Sequence, residues 1–518
     1  MQIIEDKALL LRTRNPHKYS IIPKHKVVDE KDGVYEVAVY WGLDEARVLK
    51  NLGVKNVPSP ITRRYEWPGR YKPMAHQIET AAFLTMNRRA FCFNDPGTGK
   101  TLSALWAADY LMQRKEVRRV LVLCPLSIMH SAWMGDIASS VIHRSAVVAH
   151  HSQAARRIEM IQQNYEIVIS NYDGLNLIAD EINANGKFDL VIVDEANAYK
   201  NPSTKRWKTL NNILKPSGYL WMLTGTPASQ SPVDAFGLAK LVNPDNVPRF
   251  STLWRDRVML QVSKFKYIPK PQSKQYVFDA LQPAIRFSKA ECLDLPDVLY
   301  QTREVALTPS THRYYRELRN EMLIEAAGEN ISAVNAAAKL NKLLQISGGA
   351  VYTDGGETVR FDISPRLNVL KEVIEETNNK VLVFVPYRHT IDLVTEFLNN
   401  NAVTTETISG DVSANKRNEI FRRFQSTADL KVLVIQPQAA SHGVTLTAAD
   451  TVVFWSPVMS VETYLQCIAR IDRVGQQNKM TVVHLVGSDV ERRMYAMLQN
   501  KVDSHGKLVD LYKQEIGL

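Results

Sequence analysis

Short, uninterrupted apolar runs separated by helix-forming segments constrain this chain more than any other feature. Ala90-Phe91-Cys92-Phe93, Val120-Leu121-Val122-Leu123-Cys124, Ile167-Val168-Ile169 and Leu190-Val191-Ile192-Val193 show no polar alternation. A strand of that composition must be covered on both faces, the condition of a parallel sheet flanked by crossover helices. The pattern lapses into mainly helical segments between about 236 and 365, such as Thr311 to Ala327 and Ile331 to Leu344. It restarts at Val381-Leu382-Val383-Phe384-Val385, then at Leu433-Val434-Ile435 and Thr451-Val452-Val453-Phe454. The expected fold is α/β, with two parallel-sheet lobes and helical insertions. A chain of 518 residues exceeds one hydrophobic core. The boundaries read as an N-terminal module over 1–60, a first lobe over 61–296 and a second over 297–518. Insertions are expected at about 236–290 and 310–362. In the N-terminal module, alternation over Tyr35–Trp41, a turn at Asp32-Gly33 and a helix over Leu43–Leu52 predict a small α+β unit.

Ala90–Phe93 runs into Asn94-Asp95-Pro96-Gly97-Thr98-Gly99-Lys100-Thr101, and a helical pattern follows. Strand, glycine-bearing turn and helix start together make a phosphate cradle. Pro96, Gly97, Thr98 and Gly99 would lend backbone, Lys100 would reach the β- and γ-phosphates, and Thr101 would ligate Mg²⁺. The strict pattern asks for glycine where Asn94 stands. Asp194 and Glu195, at the end of the run Leu190–Val193, put charge where an open α/β sheet binds ligands. Asp194 suits Mg²⁺, and Glu195 suits polarising a water. Gln77, on a helix from about Ala75 to Met86, has the donor and acceptor that an adenine edge needs. Trp67 and Tyr71 are candidates to stack on a base, or packing anchors. The hydroxyls of Thr224 and Thr226 lie where a γ-phosphate could be sensed. In the second half, Tyr464 to Gln476 reads as a helix placing Arg470 and Arg473 one turn apart on one face. Such a pair suits a γ-phosphate or a salt-bridged face with Asp472.

Hydrophobic content of 45% and charged content of 23% are those of an ordinary globular protein. No apolar run approaches the ~20 residues of a membrane span, and the N-terminus has no signal-peptide pattern. Cys92, Cys124, Cys292 and Cys467 lack metal-ligand spacing, so reduced thiols in a cytoplasmic compartment are expected. A net charge of +10 and pI near 9.2 point to a polyanionic partner. The basic, aromatic stretch Lys264–Lys274 is a candidate phosphate contact or a solvated loop.

From Lys72 to Val502 these segments, in this order, resemble a Swi/Snf-like ATPase of helicase superfamily two, in its compact bacterial or bacteriophage form. Gln77 stands at that family's adenine-reading glutamine and Asn94–Thr101 at its phosphate loop. Val191–Asn201 resembles its Asp-Glu-Ala-His segment, with Asn197 in place of the histidine. Leu223–Pro227 matches Leu-Thr-Gly-Thr-Pro, and Leu295-Pro296 with Leu307-Thr308-Pro309 resembles the stretch that opens the second lobe. Gln466–Gln476 resembles the arginine-finger helix, which implies that Gln466 borders the nucleotide. The resemblance implies two RecA-like lobes, ATP and Mg²⁺ as cofactors, and a track of double-stranded DNA, forked or branched DNA included. It implies DNA-backbone contacts from Pro125, Ser127, Asn171, Tyr172 and Gly443, although Gln436–Leu446 lacks the family's paired glycines. The implied activity is DNA-dependent ATP hydrolysis driving translocation along duplex DNA by a monomer. Two rivals are a branch-migrating or annealing helicase on forked intermediates and a nucleotide-gated DNA binder that does not hydrolyse. Nothing in the sequence excludes RNA as the track.

Overall fold

Strands that lack polar alternation are buried along their whole length. Val120–Cys124, Leu190–Asp194 and Tyr219–Leu223 expose no residue to solvent. The computed structural model describes residues 1–500 apart from 187, 226, 229–230, 264–265, 293–295, 329–332, 353–357, 441–443 and 474. The chain divides into two compact units. The first comprises Met1–Pro227, Ala235–Trp254 and Lys274–Cys292, and the second comprises Ala228–Asp234, Arg255–Ser273 and the chain from Leu293.

The first unit begins with strands β1 (Gln2–Ile4), β2 (Ala8–Thr13), β3 (His25–Lys31) and β4 (Val34–Tyr40). They form a four-stranded antiparallel sheet in the order β1-β2-β4-β3. Asp32 and Gly33, at φ +53° and +72°, make the two-residue turn between β3 and β4. Left-handed dihedrals at both positions match the twist of a tight hairpin. Within the module the buried Trp41 indole N–H donates to the Pro58 carbonyl at 2.8 Å. Arg47, on the helix Leu43–Asn51, reaches Glu116 at 2.7 Å and the Tyr219 hydroxyl at 2.7 Å.

The body carries β5 (Arg89–Cys92), β6 (Val120–Cys124), β7 (Ala146–Val148), β8 (Ile167–Asn171), β9 (Leu190–Asp194) and β10 (Tyr219–Leu223). After the hairpin β11 (Met259–Ser263) and β12 (Lys266–Pro269), which belongs to the second unit, β13 (Ala284–Ile285) joins them as an edge strand. The resulting parallel sheet has seven strands in the order β13-β5-β10-β9-β6-β8-β7. Its helices bury Trp106, Trp133, Leu105 and Ile137 against Val122, Ile192 and Trp221. The region expected to be a helical insertion thus holds strands as well as helices. Its basic stretch supplies the second strand of the hairpin, Lys266–Pro269, and Lys264 and Phe265 lie outside the described residues.

The second unit contains β14 (Val298–Glu304), the hairpin β15 (Ala350–Tyr352) and β16 (Thr358–Arg360), β17 (Lys380–Phe384), β18 (Thr405–Ile408), β19 (Val432–Ile435), β20 (Ala449–Phe454) and β21 (Met480–Val486). Six of them form a parallel sheet in the order β14-β21-β20-β17-β19-β18. Helices Pro309–Gly328 and Ala333–Gly348 fall close to their predicted spans. Arg366 and Glu491 form a fully buried ion pair at 2.7 Å, and the Arg366 guanidinium also donates to the Trp455 carbonyl. With both partners buried, the pair is one whose disruption strands a buried charge. His484 lies beneath Tyr495 with ring centroids 4.1 Å apart, and its Nε2 meets the Tyr464 hydroxyl at 2.9 Å. Burial holds its pKa down at about 4. Among the described residues no helix is long and apolar enough to cross a membrane.

Candidate active site

In the first unit the candidate residues gather at the carboxyl ends of β5, β6, β8, β9 and β10, where a parallel sheet receives ligands. The loop Asn94–Thr101 leaves β5 and enters the helix Lys100–Gln113. Gly97 and Gly99 adopt φ of +88° and +80°. A Cβ on Gly99 would meet only the end of the Gln77 side chain, so it is the left-handed dihedral that demands glycine there. The Lys100 ammonium donates to the carbonyls of Asn94 at 2.8 Å and Asp95 at 3.2 Å, which holds it over the loop. Thr101 is half-buried in the first helical turn.

Asn94 accounts for its own departure from glycine. Fully buried, it donates through Nδ2 to the Thr80 hydroxyl at 2.8 Å and accepts from the Phe287 N–H at 3.0 Å. It therefore ties the phosphate loop to the helix Ala75–Met86 and to the segment continuing β13. Gln77 is also buried, with Nε2 donating to the Thr98 carbonyl at 3.2 Å and Oε1 accepting from the Met74 N–H at 3.0 Å. His76 meets the same Thr98 carbonyl at 2.8 Å. Gln77 is thus placed against the phosphate loop. Trp67 packs edge-on between Tyr65 at 5.1 Å and Trp106 at 5.6 Å, which is the packing role, whereas Tyr71 is half exposed beside Arg70.

Asp194 ends β9 with its carboxylate almost wholly buried. Burial raises its pKa, while the Lys100 ammonium, the Trp133 indole and the Glu195 N–H oppose the rise. Oδ2 accepts from Trp133 Nε1 at 3.0 Å and Oδ1 from the Glu195 N–H at 3.0 Å. Glu195 sits at φ +49°, a left-handed conformation that a side chain adopts only where its surroundings hold it. Trp133 was not singled out from the sequence. It lies in the π-helical turn Met129–Met134, beyond β6, and its signal was that a buried indole N–H needs an acceptor. Among the described residues no three His, Cys, Asp or Glu side chains converge as a metal site. One buried carboxylate with a neighbouring lysine and the hydroxyl of Thr101 nevertheless fits Mg²⁺ carried on a nucleotide, since that ion keeps phosphate and water ligands.

The candidate DNA contacts divide. Pro125 is buried at the end of β6, and the side chain of Ser127 and all of Gly443 lie outside the described residues. Asn171 accepts from Arg157 at 3.2 Å. The Tyr172 hydroxyl turns inward and donates to the Asp194 carbonyl at 2.6 Å. Thr224 is fully buried, its N–H donating to the Cys92 carbonyl at 3.0 Å, while Thr226 lies outside the described residues.

In the second unit the helix Val461–Ile468 stops before either arginine, which corrects the expected helix through Gln476. Arg470 and Arg473 come together all the same, because both donate to the Val444 carbonyl, at 3.0 and 3.2 Å. Arg470 Nε also returns to the Gln466 carbonyl at 2.7 Å, and its own carbonyl accepts from the Leu446 N–H at 2.9 Å. Gln476 adds a bond to the Ala449 carbonyl at 2.8 Å. The pairing is made by a turn stitched to the segment 444–449, not by helical spacing. The Gln466 side chain is buried and engages Glu462 at 3.4 Å.

Residues 76–348 match the SNF2-related domain, and residues 365–475 match the helicase conserved C-terminal domain. The putative protein p41 of Acyrthosiphon pisum secondary endosymbiont phage 1 is 25% identical over 81% of this chain and 94% of its own length. The mouse chromodomain-helicase-DNA-binding protein 1-like is 24% identical over 90% of this chain. The chain spans 54% of that protein's length. The Sulfolobus solfataricus SWI2/SNF2 ATPase core in complex with dsDNA is 21% identical, with a TM-score of 0.42 over 87% of this chain and 95% of that one. With the phosphate loop, the buried carboxylate and more than half its length matched by the first domain, this chain belongs to the SNF2-related family of helicase-type ATPases.

Proposed function

We propose that the protein hydrolyses ATP in response to double-stranded DNA and converts the cycle into translocation along the duplex. The observation that supports this best is Lys100 lying close enough to the buried Asp194 carboxylate to oppose its protonation, at the mouth of the phosphate loop. Lys100 would hold the β- and γ-phosphates, Thr101 and Asp194 would hold Mg²⁺, and Glu195 would orient the attacking water. Bound Mg²⁺ would supply neutralising charge to the phosphates. Arg470 and Arg473 carry the guanidinium forks that suit the charge developing on the transferred phosphoryl group. Hydrolysis would then require the second unit to present them at the first, and a track binding both units would set the rate. The net charge of +10 supports a polyanionic track.

The test is ATP turnover measured against linear duplex, single-stranded and forked DNA and against RNA, at stated salt. Strongest stimulation by linear duplex supports duplex translocation. Preference for forks would favour the branch-migrating reading, and absence of turnover on every nucleic acid would leave a nucleotide-gated binder.

A further inference from the structure

We infer that Trp133 and Tyr172 are positioning residues for Asp194, so that the segments following β6 and β8 set the geometry in which this carboxylate takes its metal. The inference rests on the ATPase reading above. Donors from separate elements converge on one residue: the Trp133 indole on Oδ2 at 3.0 Å, and the Tyr172 hydroxyl on the main-chain carbonyl at 2.6 Å. The Glu195 N–H takes Oδ1 at 3.0 Å, so the plane of the carboxylate is fixed from both sides. Each oxygen keeps a further lone pair for a cation.

Neither donor is free to drift. Trp133 has no solvent exposure. Tyr172 meets Tyr199 edge-on at 5.6 Å, and the Arg206 guanidinium stands 5.1 Å from the Tyr172 ring. The carbonyl that Tyr172 holds immediately precedes Glu195, whose left-handed backbone needs such support. A displacement of 125–134 or of 171–172 is therefore passed to the carboxylate and to the strained turn as one motion. Residues that orient a metal ligand from behind are worth about 10–100-fold in metal affinity or activity. The family resemblance implies a DNA contact at Tyr172, but its hydroxyl donates to the Asp194 carbonyl. A contact made by its neighbours with a polyanion would reach the metal ligand through that bond.

Tyr172→Phe deletes one donor and keeps the ring, and Trp133→Phe deletes one donor and keeps a smaller aromatic ring. The full chain is titrated with Mn²⁺ beside a non-hydrolysable ATP analogue, free Mn²⁺ being read by electron paramagnetic resonance. Analogue affinity is measured separately in EDTA. W133F should weaken Mn²⁺ about 10-fold or more, Y172F less, and metal-free analogue affinity should stay at the wild-type value in both. The Mg²⁺ concentration for half-maximal turnover should shift by the same factor. Unchanged Mn²⁺ affinity in both variants, with normal binding by wild type, overturns the inference and leaves the ATPase reading standing. Parallel loss of analogue affinity in EDTA overturns it too, because it marks a structural role. Failure of wild-type protein to bind the analogue with Mn²⁺ sinks the ATPase reading itself. Should W133F not fold, the two readouts on Y172F decide alone.

Discussion

The phosphate loop of the first unit and the arginine turn of the second are fixed by different means. The loop is built from local sequence: two left-handed glycines, a strand before it and a helix after it. Long-range bonds merely fasten it, through Asn94 to Thr80 and Phe287. The arginine turn has no such local template, because its helix ends at Ile468 and Arg470 and Arg473 follow in irregular backbone. A single carbonyl, that of Val444, brings them together from about 26 to 29 residues upstream. Motifs that bind phosphate through backbone are written in consecutive residues, whereas a pair of side chains that must converge depends on whatever holds them from elsewhere.

The largest effect that sharpens this contrast is expected from Arg473→Ala. DNA-stimulated turnover should fall by about 10³-fold or more while ATP binding persists. Undiminished stimulated hydrolysis would show that the arginine turn is structural. Lys100→Ala should cost about 10²–10³-fold in turnover, as for one preorganised donor, and should leave most DNA affinity, which is checked by equilibrium binding on duplex. Loss of DNA binding in step with turnover would mean that the loop does more than hold phosphate.

The second unit is expected to lose stability in acid through His484. The unfolded chain takes up a proton on His484 near pH 6.5, whereas the folded protein refuses it until about pH 4. The unfolded state therefore binds more protons within that window, and stability falls as pH drops through it, by up to about 3 kcal/mol. Urea unfolding followed between pH 7 and pH 4 reads this directly. His484→Phe should flatten that dependence, at a cost from losing the Tyr464 bond at 2.9 Å. The smallest effect is expected from Asn94→Gly, which restores the strict phosphate-loop pattern. The buried Thr80 hydroxyl and the half-buried Phe287 N–H then lose their bonds, so stability should drop by about 1–3 kcal/mol while nucleotide affinity changes little. A variant that is more stable than wild type would remove the staple role.

Much of the fold was legible because continuous apolar runs admit few solutions. The hairpin at Asp32-Gly33 and the strand-loop-helix at Asn94–Thr101 appear where local chemistry put them. Three features were not legible. The helix expected through Gln476 fails because the polar groups of 470–476 find partners in 444–449, which override helical spacing. Trp133 escaped notice because its importance depends on the Asp194 carboxylate, which is remote in sequence. Tyr172 likewise is a DNA-contact candidate by family resemblance and belongs to a buried network by structure.

By itself the sequence determined the two parallel sheets, the glycine-bearing loop and the residue types at each strand end, since burial on both faces and left-handed dihedrals are demands that single residues express. Only tertiary structure decided why Asn94 replaces glycine, what orients Asp194, and which carbonyl gathers Arg470 and Arg473. Those are matters of hydrogen-bond partners, and a buried polar group takes its partner from whichever element the fold places beside it.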